Sequence, residues 1–251
     1  DPATVRGEYN GVPSLPTAGE YDVSEVFVEF SIPVFRDSAF GKAFDISLAG
    51  RYSDYSTFGG EFTPKIGFRW QLADEFLLRS TYAEGFRAPS IGELYGAASR
   101  FDANLVDPCL TQRGVPASGN AANCAALGVT PNTPQFDPQI GVETGGNRAL
   151  LPETSRSFSA GAVWTPSLLE DTALSRRVDL EVTFYRHQID GAIQAIDPQS
   201  QLDLCVATLD PAYCNGIVRN GSTSQIESFA NYLGNLASIR TSGEFGFVVS
   251  R

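Results

Sequence analysis

Apolar residues recur at every second position through several long stretches, a period that predicts β-strands whose two faces meet different surroundings. From Phe40 to Tyr55, Phe44, Ile46, Leu48 and Tyr52 share one face, while Asp45, Ser47, Ala49, Arg51 and Ser53 share the other. Glu61 to Leu72 repeats the alternation, setting Phe62, Ile66, Phe68, Trp70 and Leu72 against Thr63, Lys65, Gly67, Arg69 and Gln71. Val178 to Tyr185 does so again, with Val178, Leu180, Val182 and Phe184 opposed to Asp179, Glu181, Thr183 and Tyr185. Weaker alternation marks Val23 to Val34, Glu75 to Tyr82, Ser155 to Thr165 and Leu236 to Val249. The pattern predicts about seven long strands and no amphipathic helix.

Strand length narrows the architecture. These segments run to about ten residues or more, where soluble domains favour five or six and a tilted transmembrane strand needs about ten. Tyr52, Trp70, Tyr82 and Trp164 fall toward the ends of the apolar faces, where an interfacial girdle would place them. The rival reading puts the same aromatics in the core of a two-sheet sandwich. The connections favour the barrel wall: Arg36 to Lys42, Asp54 to Gly60 and Ala73 to Glu75 are short and Pro166 to Arg177 modest, while Arg87 to Thr154 and Asp190 to Glu227 are long. In an up-and-down sheet, alternate connections share an end, so both long ones fall together, as the external loops of outer-membrane barrels do. The expected fold class is all-β, an antiparallel transmembrane β-barrel segment. The first long connection shows no periodicity, and roughly sixty such residues inside a compact domain point to a functional loop.

Composition changes the picture in three ways. The mean hydropathy of −0.11 and the lack of any apolar run of about 18 residues exclude a transmembrane helix, but a barrel hides its apolar half in the alternation. With 18 basic and 29 acidic residues the net charge is −11, and no basic cluster offers itself to nucleic acid. The chain has no Met and no leader-like start at Asp1, so a processed product or excised piece is expected.

The four cysteines lie only in the long loops. Three pairings are possible, and those within a loop, Cys109 with Cys124 and Cys205 with Cys214, are favoured because neither spans a strand pair. Disulfides imply an oxidising compartment. A zinc site is the alternative, but neither pair has C-x-x-C spacing and the single histidine, His187, lies on a predicted strand. That histidine is also the only one a Ser-His-Asp or Cys-His arrangement could use. No phosphate-cradling glycine motif occurs, and the acids between Asp102 and Asp107 lack EF-hand spacing. The expectation is a protein without catalytic, cofactor-binding or metal-binding residues. A pair of carboxylates set for glycoside hydrolysis is the one enzymatic arrangement that spacing cannot address.

Three motifs carry a family resemblance. Tyr82 to Tyr95 reads YAEGFRAPSIGELY, and Gly85, Phe86, Arg87, Ala88, Pro89, Ser90, Glu93, Leu94 and Tyr95 resemble a signature of TonB-dependent outer-membrane receptors. Gly85 relaxes the strand end and Pro89 blocks further ladder pairing. Gly145 to Ser155 (GGNRALLPETS), with Pro152 and Glu153, is similar to the stretch that re-enters the barrel in that family; Leu151 before the proline departs from the usual residue. Asn231 to Phe245 (NYLGNLASIRTSGEF) is similar to a third element, and Phe58, Gly59, Pro64 and Lys65 fit the segment before the first. The motifs cover Tyr21 to Val249 in the family's order, and they describe wall architecture rather than ligand contacts.

The resemblance implies that residues 1–251 are part of a receptor barrel of about 22 strands, with the N-terminal plug domain and the C-terminal strands absent. The intact protein would sit in the bacterial outer membrane among its lipids and bind a small-molecule ligand at external loops. It would engage TonB only through the missing plug and import a scarce nutrient such as a siderophore or saccharide. A passive porin or barrel adhesin, or a soluble secreted β-rich binding module or glycosidase, are the alternatives. The loops offer Arg100, Phe101, Asp102, Arg113, Phe136, Arg148, Tyr213 and Arg219 as candidate ligand-facing residues, a mix of planar and charged groups able to stack or hydrogen-bond.

Overall fold

The structure, a computed structural model, describes residues 2–6, 8, 16–167 and 178–250. Most of the expected connection from Pro166 to Arg177 therefore lies outside the described residues. The chain divides into two compact units, one of wall strands and one that joins the long connections with the N-terminal segment and its short helix, α1 (Pro2–Val5).

The wall unit is a seven-stranded sheet of β1 (Val23–Ser38), β2 (Gly41–Tyr55), β3 (Gly59–Ala73), β4 (Phe76–Arg87), β7 (Glu153–Trp164), β8 (Val178–Gln194) and β11 (Gly234–Ser250), adjacent in that order. The strand pairs from β1 through β8 are antiparallel. All seven expected strands are present, most of them longer than their alternating stretches; β2 matches its stretch to within one residue. Register keeps the apolar set on one face: Ile32, Ile46, Phe68 and Ser80 align, as do Phe30, Leu48, Ile66, Tyr82 and Phe158. Among the described residues no second layer covers that face, where Phe62 is 61% and Val182 60% exposed. The opposite face pairs its charges, Arg36 with Asp45 and Arg79 with Glu181, and Glu25 accepts a hydrogen bond from Ser53. Two prolines fall where the ladder is already irregular or one-sided. Pro33 lies at a bulge on the edge strand β1, and Pro64 precedes Lys65, where the pairing of β3 with β4 ends.

The connection unit corrects the expectation of aperiodic loops without helices. It holds α2 (Ile91–Tyr95), β5 (Ser99–Asn104), α3 (Ala121–Ala126) and β6 (Gln139–Thr144) in the first connection. The second contributes α4 (Pro198–Thr208), α5 (Pro211–Cys214), β9 (Ile217–Arg219) and β10 (Ile226–Ala230). Their strands form a second sheet in the order β5, β6, β10, β9, in which β6 and β10 run parallel. One core binds both connections: Leu105, Leu110, Val129 and Val142 from the first are buried with Leu202, Val206 and Phe229 from the second. Local signals explain the helices. Asp197 and Asp210 cap α4 and α5 by accepting hydrogen bonds from Ser200 and Ala212, and a proline follows each cap at the first helical position. Ser90 and Glu93 close a reciprocal capping box on α2.

Candidate functional site

Recognition in a barrel belongs to its loops, so the connection unit is the candidate site, and what holds it decides which side chains remain free. Cys109 is bonded to Cys124 and Cys205 to Cys214, each pair within one connection. Cys109, Cys124 and Cys205 are buried.

Arg219 comes from the second connection and places its guanidinium on the Asp107 carboxylate of the first, at 2.5 and 3.1 Å. The two side chains are 7% and 1% exposed. Asp107 also accepts from the Cys109 amide at 2.9 Å, so a buried bidentate pair is fully hydrogen-bonded. Side-chain amides sew up the rest. Gln135 accepts from Asp107 N–H and donates to the Leu105 carbonyl; Gln199 brackets Val106, accepting from its N–H and donating to its carbonyl. Asn123 donates to Val206 and Gln225 to Pro134, while buried Asn231 donates to Gln201 and to the Ile196 carbonyl. Among the described residues no buried side-chain polar atom lacks a partner.

The three sequence motifs meet here. The Gly146 and Asn147 amides donate to the Gly96 and Glu93 carbonyls, and the Asn147 side chain donates to the Leu233 carbonyl. A Cβ on Gly146 would lie 2.4 Å from the Gly96 nitrogen, so the backbones approach only because both residues lack side chains. Pro89 is buried, as are the Leu94 and Leu150 side chains. In the wall unit, Arg87 and Glu153 form a two-bond pair at 2.8 Å across β4 and β7. These motif residues therefore join segments.

The eight candidate residues separate into two groups. Arg219 is buried in its ion pair, Tyr213 is half-buried on α5, and Arg148 lies over the Tyr95 ring at 5.1 Å. Arg100, Phe101, Asp102, Arg113 and Phe136 are exposed, Phe136 at 69%. Arg100 and Asp102 pair at 2.9 Å on β5, and the Arg100 side chain lies across Gly141. There it borders a shallow hollow of about 350 Å3, lined also by Glu143, Val218, Glu227 and Ser228. Sequence reasoning missed Glu143, Glu227 and Ser228, because β6 and β10 are too short to show a period. Beside them the Tyr232 hydroxyl donates to Glu143, which, with partial burial, raises its ionisation above the usual tyrosine value.

Long antiparallel strands with one uncovered apolar face and one charge-paired face define the wall of a β-barrel. The chain belongs to the TonB dependent receptor-like β-barrel family, which it matches over residues 1–243. No curated protein matches it. Among solved structures it resembles the siderophore receptor PirA from Acinetobacter baumannii, at 17% identity and a TM-score of 0.51 over 91% of this chain and 25% of that one. It resembles a mutant ferric enterobactin receptor PfeA from Pseudomonas aeruginosa in complex with enterobactin, at 14% identity and a TM-score of 0.55 over 90% and 24%. It also resembles a double mutant of the Serratia marcescens hemophore receptor HasR in complex with its hemophore HasA and heme, at 12% identity and a TM-score of 0.53 over 96% and 33%. At such identities the likeness concerns the fold, and the chain spans about a quarter to a third of those proteins.

Proposed function

We propose that this chain supplies wall strands and external loops to an outer-membrane receptor that imports a scarce nutrient with energy passed through TonB. The observation that carries this reading is the placement of both long connections after wall strands that leave the sheet at one end, together with their folding into a unit with its own core. Loops that served only as linkers would need neither a core nor two disulfides. TonB would act through a plug domain elsewhere in the intact protein. The ligand class we favour is a ferric siderophore or heme, the kinds of ligand held in the PfeA and HasR complexes. Recognition would fall to Arg100, Phe101, Asp102, Arg113 and Phe136, and Arg148, Tyr213 and Arg219 would shape the surface they share.

The test uses the intact protein that carries this chain. Uptake of a panel of ferric siderophores and heme is measured in cells with and without TonB. TonB-dependent uptake of one member supports the reading, and equal uptake in both strains transfers it to a passive porin. Replacing Arg100, Phe101, Arg113 and Phe136 together by alanine should then weaken binding at least about tenfold, the scale on which a few central residues act. Heat-modifiable migration of the wall on gels should stay unchanged. Full affinity in that variant would place recognition elsewhere in the protein.

A further inference from the structure

Three asparagines precede a glycine: Asn10, which lies outside the described residues, Asn215 and Asn220. In such a pair no Cβ shields the glycine nitrogen from the asparagine side chain, and the backbone turns freely. The nitrogen can then attack the side-chain carbonyl carbon and close a ring. A fold opposes that closure in two ways, by hydrogen bonds on the side chain and by hydrogen bonds on the intervening peptide, which must turn before the atoms meet.

The two described pairs differ on both counts. Asn220 is held throughout: its side-chain oxygen accepts from the Ser222 and Thr223 amides at 2.9 and 3.0 Å. Its N–H donates to the Gln225 carbonyl, and its own carbonyl, part of the peptide leading to Gly221, accepts from Ser224 at 2.8 Å. Asn215 follows α5, where its N–H donates to Pro211. Its exposed side chain makes no hydrogen bond among the described residues. Neither does the peptide leading to Gly216, at its carbonyl or at its N–H. The ladder explains the spare N–H. Ala230 donates to the Gly216 carbonyl, but the Ala230 carbonyl, which would answer in a regular antiparallel pair, accepts from the Gln201 side chain instead.

We propose that Asn215 is a site of spontaneous deamidation and that the fold protects Asn220. The Gly216 nitrogen bonds to the Asn215 Cγ as the Cγ–Nδ2 bond breaks, and the Gly216 proton leaves with the departing ammonia. Water then opens the ring at either carbonyl, giving aspartate or isoaspartate with no change of oxidation state. The product sets a carboxylate on the rim of a hollow of about 380 Å3 lined also by Gln201, Ala212, Ala230 and Tyr232. The isoaspartyl form also adds a methylene to the backbone between Cys214, bonded to Cys205, and β9, whose Ile217 pairs with Phe229. The connection unit thus carries a position that ages by gaining charge and chain length.

The intact protein, purified in detergent, is incubated at mildly alkaline pH, where the glycine nitrogen is more readily deprotonated, and sampled over time. Cleavage after arginine separates the two positions, since His187 to Arg219 carries Asn215 and Asn220 to Arg240 carries Asn220. After reduction, mass spectrometry follows the gain of about 1 Da as NH2 gives way to OH, and fragmentation locates it. Asn215 should convert at least about tenfold faster than Asn220, whose side-chain and peptide hydrogen bonds must break first. In urea the two rates should converge. Equal rates in the native protein, or faster conversion of Asn220, overturn the proposal; so does a native difference that persists in urea, which would belong to the neighbouring residues and not to the fold. Asn215→Gln should abolish the gain in its peptide, and a gain that survives there places the reaction at another residue and overturns the assignment.

Discussion

The Arg219 and Asp107 pair shows how a residue type can mislead when its partner is unknown. A loop arginine in sequence is a candidate for anions, yet here it is buried against a carboxylate 112 positions away. Removing one partner of such a pair strands the other charge, at a cost of about 3 to 5 kcal/mol. Arg219→Met should therefore lower the thermal stability of the connection unit by that amount, whereas Arg113→Met should change it little; circular dichroism melts of both variants check this. Tyr232 permits a test by pH. Its ionisation is raised by the hydrogen bond to Glu143 and then by partial burial, so the fold favours the protonated phenol. The resulting stability is complete below the unfolded value of about 10 and is lost as pH rises through the folded one. Tyr232→Phe should flatten the stability profile above that pH, and an unchanged profile would show that the bond contributes nothing.

At the scale of the element, the wall strands follow from one local property. Their two faces differ at every second residue, and a slip of one position would reverse every side chain, so the register is strongly specified. The aligned rows of Leu48 with Ile66 and of Phe68 with Ser80 record that constraint. A lysine at Leu48 or Val182 should cost about 2 to 4 kcal/mol near a bilayer midplane, and a charge reversal at Lys65 on the other face much less. Refolding equilibria of the intact protein into vesicles measure both, and equal penalties would refute the assignment of faces. The connection elements obey different rules. Single turns such as α5 and three-residue strands such as β9 draw little on propensity, and their caps mark where they begin but not what they pack against.

The whole molecule divides its labour between a wall ordered by ladders and a connection unit ordered by a core, two disulfides and amide bridges. A disulfide closing about 15 residues contributes on the order of 3 kcal/mol. Reduction should raise amide hydrogen exchange throughout the connection unit, Val142 and Phe229 included, before it affects the wall strands. Simultaneous loss of protection in both would show one cooperative structure. Deleting residues 101–147 removes β6, most of β5 and six of the nine buried residues of the shared core, so surface substitutions report on recognition more cleanly than that deletion.

By itself the sequence determined the seven wall strands, their approximate bounds, the end at which the long connections lie and the family, because alternation, strand length and short motifs are written in contiguous residues. It also narrowed the cysteine pairing, since loop-internal closure needs no knowledge of the fold. The Asp-Pro pairs at Asp197 and Asp210 are start signals for α4 and α5, but hydrophobic periodicity reads that stretch as a loop and misses both helices. Only the tertiary structure decided that the connections form one unit, that β6 runs parallel to β10, that Arg219 turns inward, and that Glu143, Glu227 and Ser228 gather around Arg100. Each of those facts is a contact between segments far apart in the chain. Such contacts form because burying Val142 and Phe229 together, with the buried side-chain polar atoms of the described residues all hydrogen-bonded, outweighs the entropy of closing long loops, and that balance is set by three-dimensional packing, which no window of neighbouring residues contains.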